Sequence, residues 1–416
     1  MLFLYNTGIY LYSLFIRIAS LNNKKAAAWI NGRKGLLQFI EKNLDKNKHY
    51  TWFHFASLGE FEQGRPVLER LKSEKPELPV VITFFSPSGF EIRKNYALAY
   101  HVFYLPIDTR TNAIEFIRLI NPKIAIFTKY EYWYHYFDEL SKKNIPLYVI
   151  SGRFRKEQIF FKWYGSLHRI ILSKVSHFFV QNQISSDLLK NIGLKNVTVN
   201  GDTRFDRVAF NALSTTEIQI IADFSEGSKV FIGGSTWPED EKLIATLHEN
   251  YPDWKFIIAP HEVKPERINE IVTLFPNSIR YSEIKNLQTG SEESQNLSPN
   301  FRVLIIDNIG LLSSAYQYGD IAYIGGGFGV GIHNTLEAAA FGLSVIFGPN
   351  YQKFPEAIEL ISIGAAYSIK NYNELATVME TLKNDTKREA LGKAASDYVK
   401  SNTGATQAIL DYIRNN

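Results

Sequence analysis

Ile321-Ala322-Tyr323-Ile324-Gly325-Gly326-Gly327-Phe328-Gly329-Val330-Gly331-Ile332-His333-Asn334-Thr335-Leu336-Glu337-Ala338-Ala339-Ala340 is the stretch that decides the reading of this chain. Its first four residues form an apolar run that predicts a strand. The glycines are expected to open directly into a helix that closes on the three alanines. Glycine lets a backbone come close to a ligand, and a helix N-terminus offers free N–H groups and a positive dipole end to a phosphate. Glu337, inside that helix, is placed to reach the hydroxyls of an attached ribose. Strand, glycines and His333-Asn334-x-x-Glu337 in that order predict a nucleotide-sugar site in an α/β domain.

Outward from this motif the composition is ordinary. The chain has 416 residues, 45% hydrophobic and 21% charged, long enough for two domains. A formal net charge of +4, with no basic helix or interleaved stacking platform, excludes nucleic acid as a partner. There is no cysteine, which excludes disulfides and cysteine-based metal or nucleophile sites.

The N-terminus stands apart. Residues 2–21 are dominated by Leu, Ile, Phe and Tyr, interrupted by Asn6, Thr7, Gly8, Ser13 and Arg17, and followed by Lys24, Lys25, Arg33 and Lys34. No basic stretch opens the segment and no small-residue cleavage site closes it, which argues against a removable signal peptide. The length just spans a bilayer, while Arg17 and the polar breaks equally suit a helix lying in the interface. A buried core helix is the third reading. A membrane anchor over residues 1–21 is the expectation, with the trailing positive charges keeping the remainder on the cytoplasmic side.

Beyond the anchor, short apolar runs alternate with helical stretches. Strands are expected at 52–56, 80–85, 102–105, 124–128, 147–150, 178–180 and 197–200, then at 230–233, 256–259, 303–306, 321–324 and 345–347. Most are continuous apolar runs, as parallel strands covered on both faces require. The rhythm predicts two doubly wound domains, 22–210 and 225–400, connected through 201–227, with a C-terminal helix at 401–416 and a polar loop at 287–300. Two Rossmann-like domains facing each other across a cleft make the GT-B architecture. Ligands in such sheets sit beyond the carboxyl ends of the strands. The loops there are Ser57-Leu58-Gly59-Glu60, Lys129-Tyr130-Glu131, Ser151-Gly152-Arg153, Gly234-Ser235-Thr236, Pro260-His261-Glu262 and the glycine run.

These residues, taken together, resemble a known family. The matching strings are His54-x-x-Ser57-x-Gly59-Glu60, Ser86-Pro87-Ser88-Gly89, Tyr104-Leu105-Pro106-Ile107-Asp108 and Glu131-Tyr132-Trp133. They continue with Ser151-Gly152-Arg153, Gly201-Asp202-Thr203-Arg204-Phe205-Asp206, Gly234-Ser235-Thr236 and His333-Asn334-Thr335-Leu336-Glu337. In this order, over nearly the whole chain, they resemble the 3-deoxy-D-manno-octulosonic acid (Kdo) transferases of lipopolysaccharide assembly. The resemblance implies an inverting GT-B enzyme with no metal and no cofactor, moving Kdo from CMP-Kdo to a lipid A precursor of the lipid IVA type. It places the enzyme at the cytoplasmic face of the cell inner membrane, with 22–210 binding the acceptor and 225–400 the nucleotide sugar. Three departures stand out. Lys129-Tyr130-Glu131-Tyr132-Trp133-Tyr134-His135 replaces Glu-Thr-Glu-Leu-Trp-Pro-Asn, Pro260-His261 replaces Pro-Arg, and Arg204 replaces a lysine.

Attack of a sugar hydroxyl on an anomeric carbon needs a base for the nucleophile and stabilisation of the departing phosphate. Glu60, after the first strand, is the best-placed base, and the resemblance assigns that role to the matching Glu. The structural alternative is a glutamate that caps a helix and meets its dipole. Glu131 is expected either to orient the acceptor or to hold Arg153 in a buried pair. For the nucleotide, Gly326 and Gly327 would allow backbone approach, with Ser235 and Thr236 as hydroxyl donors. Pro260-His261 and Ile309-Gly310-Leu311 match the family's cytidine-contacting segments, and Asn334, Thr335, Leu336 and Glu337 complete the set. Kdo carries its own carboxylate, for which Arg204 and Arg153 are the candidate bidentate partners. Two other classes share these features: a GT-B transferase or epimerase using another nucleotide sugar, such as a UDP-sugar, and a non-catalytic binding protein on the same scaffold.

Overall fold

The computed structural model describes residues 2–290 and 301–416. The chain divides into two units, Met1–Asp206 with Thr403–Asn416, and Arg207–Asn402. The first is built on β1 (Tyr50–Phe55), β2 (Val80–Phe84), β3 (His101–Tyr104), β4 (Pro122–Thr128), β5 (Leu147–Gly152), β6 (His177–Val180) and β7 (Val197–Val199). Their order is β3-β2-β1-β4-β5-β6-β7, and every described pairing is parallel, with Trp52 of β1 opposite Val81 of β2 and Ala125 of β4. The direction of strand progression reverses between β1 and β4, which opens a crevice at their carboxyl ends.

The second unit repeats the plan with β8 (Lys229–Thr236), β9 (Trp254–Pro260), β10 (Ser278–Arg280), β11 (Val303–Ile305), β12 (Ile321–Ile324), β13 (Ser344–Phe347) and β14 (Ala366–Ser368). The order β10-β11-β9-β8-β12-β13-β14 puts the reversal between β8 and β12. Central strands such as β2 and β12 are buried along their whole length, the physical counterpart of their unbroken apolar runs. These are two Rossmann-like sheets of the GT-B type, as expected. The strands without a sequence signal are β10 and β14, each at the edge of its sheet.

Three boundaries differ from expectation. The connection at 201–227 is largely helical (Thr203–Leu213 and Gln219–Ser225), and the division between units falls at Asp206 rather than near 210. The helix expected at 401–416 runs Ala405–Asn415 and returns to the first unit, where Ile409 and Leu410 join the core of Phe53, Val67 and Ile82. Asp206 seats that return by accepting from the Gly404 and Thr406 N–H groups at 2.5 and 2.7 Å. The polar loop expected at 287–300 begins as the end of a helix, Tyr281–Gly290, and residues 291–300 lie outside the described residues.

The N-terminal segment forms α1 (Leu2–Ala19), followed by α2 (Lys24–Asn31) and α3 (Leu36–Asn43). By length and composition α1 is able to cross a membrane. One side is bonded to the first unit: the Tyr5 hydroxyl donates to Asp108 Oδ2 at 2.6 Å and accepts from the Tyr134 N–H, and His135 Nε2 lies 2.7 Å from Asn6 Oδ1. Tyr12 packs its ring on Trp29 and Phe85. The other side leaves Phe3, Leu4, Leu11, Leu14, Phe15 and Ile18 exposed, so α1 is not a core helix. Arg33, one of the positive charges following it, is not a surface charge. Its guanidinium lies over the Trp29 ring and donates to the carbonyls of Trp29, Phe85 and Leu105, clamping α2 to the ends of β2 and β3.

Candidate functional site

In the first unit the β1 loop runs straight into α4 (Leu58–Glu74), with Ser57 at the N-cap. Glu60 lies in the first turn, where its Oε2 accepts the Ala56 N–H at 2.6 Å. The structural alternative is therefore realised, because Glu60 does back-cap its own helix. The same carboxyl has a second property. Burial, reinforced by the neighbouring Glu131 carboxylate, pushes it up to about 7, against the pull of the Ala56 N–H and Lys129. A half-buried carboxylate poised near neutrality is matched to proton abstraction at physiological pH.

Glu131 follows β4. Its Oε2 accepts the Trp133 indole N–H at 2.9 Å and lies 3.5 Å from His54 Nε2. His54 is fully buried, and its Nδ1 lies 2.8 Å from the Thr83 hydroxyl, which also accepts the Trp52 indole N–H. The contacts of Glu131 thus go to Trp133 and His54, and the alternative Glu131–Arg153 pair is not formed. Arg204, after β7, holds Asp202 Oδ2 through Nε at 2.9 Å and Nη2 at 2.8 Å.

Lys129 is the residue here that sequence reasoning passed over, seen only as a departure from a family pattern. Burial lowers its amine from the usual lysine range, the Arg204 and Arg153 charges lower it further, and Asp202 and Glu60 oppose them. Lys129 therefore stands within reach of the Glu60 carboxylate on one hand and of the Arg153 and Arg204 charges on the other. The signal was available in its position directly after β4. Its backbone φ of 60°, with 53° at Ser151 and 53° at Ser235, puts left-handed non-glycine residues at three strand ends. Such strain persists only where the surroundings impose it, and it concentrates at functional sites.

In the second unit the glycine run departs from expectation. Residues 325–335 form an extended turn region after β12, and the helix that follows is only Leu336–Ala340. The glycines are required by the chain's own backbone. A Cβ on Gly325 would sit 2.3 Å from the Ser235 carbonyl oxygen, and one on Gly327 would sit 2.6 Å from Gly348 Cα. The Gly326 N–H donates to Asp240 Oδ2 at 2.9 Å. Asp240 also accepts the Trp237 N–H and the Tyr323 hydroxyl, so this buried carboxylate, absent from the sequence-based set, ties the β8 and β12 loops together. Gly327→Val should therefore act on folding. Wedging a branched side chain into packed backbone costs ~1–3 kcal/mol or more, and a lowered thermal midpoint is expected. A variant melting with the wild type would refute this account of the loop.

Thr236 is also committed, since its hydroxyl donates to Glu241 Oε1 at 2.9 Å and Glu241 in turn pairs with Arg267. Ser235 remains at the strand end. Pro260 closes β9, and the His261 N–H donates to the Thr236 carbonyl. Ile309 and Gly310 form an exposed turn after β11, and Leu311 is half-buried. Asn334 donates to Glu337 Oε1 at 2.9 Å and accepts the Leu336 N–H, while Thr335 and Leu336 are buried. Burial raises the Glu337 carboxyl, with Asn334 and the Arg207 charge opposing. Each unit thus gathers its predicted residues at the carboxyl ends of its own strands.

Residues 31–207 match the family model for 3-Deoxy-D-manno-octulosonic-acid transferase (kdotransferase). The 3-deoxy-D-manno-octulosonic acid transferase of Haemophilus influenzae is 26% identical over 377 residues, covering 87% of this chain and 86% of that protein. That of Aquifex aeolicus is 26% identical over 364 residues, covering 83% and 90%. Among solved structures, UDP-GlcNAc 2-epimerase from Neisseria meningitidis bound to UDP-GlcNAc superposes with a TM-score of 0.61, covering 88% of this chain and 100% of that one. Its 17% identity makes this a likeness of fold alone. With two Rossmann-like sheets, acidic and basic residues gathered after β1, β4 and β7, and relatives that align along most of its length, the chain resembles the 3-deoxy-D-manno-octulosonic acid transferases, a likeness that supports a glycosyltransferase enzyme.

Proposed function

We propose that this enzyme transfers Kdo, with inversion, from CMP-Kdo to a lipid A precursor of the lipid IVA type at the cytoplasmic face of the inner membrane, without metal or cofactor. Glu60 is the observation that carries the reading: a carboxylate fixed at a helix start and poised at about 7 beside Glu131 and Lys129. In the reaction it takes the proton of the acceptor hydroxyl. The freed oxygen forms the bond to the anomeric carbon of Kdo as the bond from that carbon to the phosphate oxygen breaks, and CMP leaves. Glu131 orients the acceptor, held from behind by His54 and Trp133. Lys129, Arg153 and Arg204 supply positive charge for the Kdo carboxylate. The nucleotide belongs to the second unit, over Ser235, the Pro260-His261 corner, the Ile309–Leu311 turn and the Asn334–Glu337 segment. The exposed apolar side of α1 rests in the membrane surface, which keeps the enzyme in the plane of its lipid acceptor.

Incubation with CMP-Kdo, generated in situ, and lipid IVA should give a lipid heavier by one or more Kdo units in the mass spectrum. UDP-sugars offered in its place should leave the lipid unchanged. Transfer from a UDP-sugar, or an unmodified lipid in the presence of CMP-Kdo, would reject the donor and acceptor named here.

A further inference from the structure

Three rings meet where the β8, β9 and β12 loops converge. His261 stacks on Trp237 with centroids 4.9 Å apart and on His333 with centroids 4.4 Å apart, the planes tilted by 24° and 21°. The Trp237 indole Nε1 lies 3.0 Å from His333 Nε2. An indole N–H only donates, so His333 Nε2 must be the bare acceptor nitrogen. The ring proton then resides on Nδ1, and a doubly protonated imidazole is incompatible with the contact. Burial, with the His261 ring against it, holds the His333 imidazole down to about 4, in the same direction. Among the described residues, His261 at the end of β9 is the titratable group acting on His333. Trp237 after β8 and Gly326 after β12 bring none. His333 Nδ1 has no hydrogen-bond partner among the described residues.

We propose that Trp237 fixes His333 as an uncharged, Nδ1-protonated imidazole whose N–H donates to an anionic phosphate oxygen of the donor nucleotide. Trp237 is then a positioning residue and His333 a binding residue. The inference rests on the reading of the second unit as the nucleotide half. It gives that half a donor whose strength does not change with pH across the neutral range, where a free histidine would gain and lose charge.

Two measurements on the full chain test it. In long-range proton–nitrogen NMR of histidine-labelled protein, assigned with His333→Gln, His333 should show the Nδ1–H pattern from about pH 8 down to about pH 5.5, and Trp237→Phe should release it to titrate. Calorimetry should use the methyl ester of CMP, whose single phosphate charge does not titrate over that range. Wild-type and Trp237→Phe affinities should diverge as pH falls, with the variant binding several-fold more tightly in acid. Because His261 also stacks on Trp237, the comparison is repeated with His261→Phe in both proteins, where a divergence that persists belongs to His333 and one that vanishes would overturn its assignment to His333. His333→Phe should weaken the ester about tenfold or more, the loss expected for one hydrogen bond to a charged group. An Nε2–H or doubly protonated His333 at pH 6.5 would overturn the tautomer. Unchanged affinity in His333→Phe would overturn the donor role. A wild-type protein that shows the Nδ1–H pattern but binds no ester would instead reject the nucleotide assignment on which the proposal stands.

Discussion

Glu60→Gln is expected to lower Kdo transfer by ~10²- to 10⁴-fold, the usual contribution of a general base, while CMP binding stays near wild type. The amide keeps the shape of the side chain, and its carbonyl oxygen can still accept the Ala56 N–H that Glu60 accepts now, so α4 keeps its cap. What is lost is the ability to take a proton. The same reasoning sets the pH profile. Burial and the Glu131 charge hold the Glu60 carboxyl at about 7. Below that value it is protonated and idle, so the rate should climb about tenfold per pH unit on the acid side and level off above it. Glu131→Gln removes the charge that, with burial, raises Glu60, so the acid limb should move to lower pH even as the plateau falls. Purified variants assayed across pH decide the matter. Near-wild-type turnover in Glu60→Gln would remove it as the base, and an unmoved limb in Glu131→Gln would remove the coupling.

The second large effect concerns α1, whose two sides should fail differently. Serine at Phe3, Leu4, Leu11, Phe15 and Ile18 should shift the protein from the membrane fraction to the soluble one, because each large apolar side chain withdrawn from lipid forfeits ~1.5–3 kcal/mol. Turnover on detergent-dispersed acceptor should persist, since those side chains are exposed and touch none of the proposed catalytic residues. Deleting residues 2–21 should do more. It removes the Tyr5 hydroxyl from Asp108, a buried carboxylate in the loop after β3, and Asn6 from His135 beside the β4 loop that carries Glu131. Loss of activity in detergent together with a lowered thermal midpoint is expected. Membrane retention of the five-serine variant would refute the surface role of α1, and a truncation with full detergent activity would refute its bracing role.

The sequence alone determined what depends on local pattern. Parallel strands buried on both faces must read as unbroken apolar runs, so the central strands of both sheets were legible. The motifs, in order, also located the strand-end loops where Glu60, Glu131, Arg153, Arg204, Ser235 and His261 stand. Tertiary structure decided everything that depends on a distant partner. The edge strands β10 and β14 are strands because a neighbour pairs with them. The last helix looked like an appendage until Asp206, about half the chain away, was seen to seat it on the first unit. A run of glycines reads as ligand approach, yet Gly327 is small because Gly348 lies against it. Asp240, Lys129 and Trp237 carry no local signature, since a carboxylate, an amine or an indole acquires its role only from the groups folded around it. Periodicity is written along the chain. Burial, charge coupling and hydrogen-bond geometry arise only when residues far apart in sequence are brought within a few ångströms.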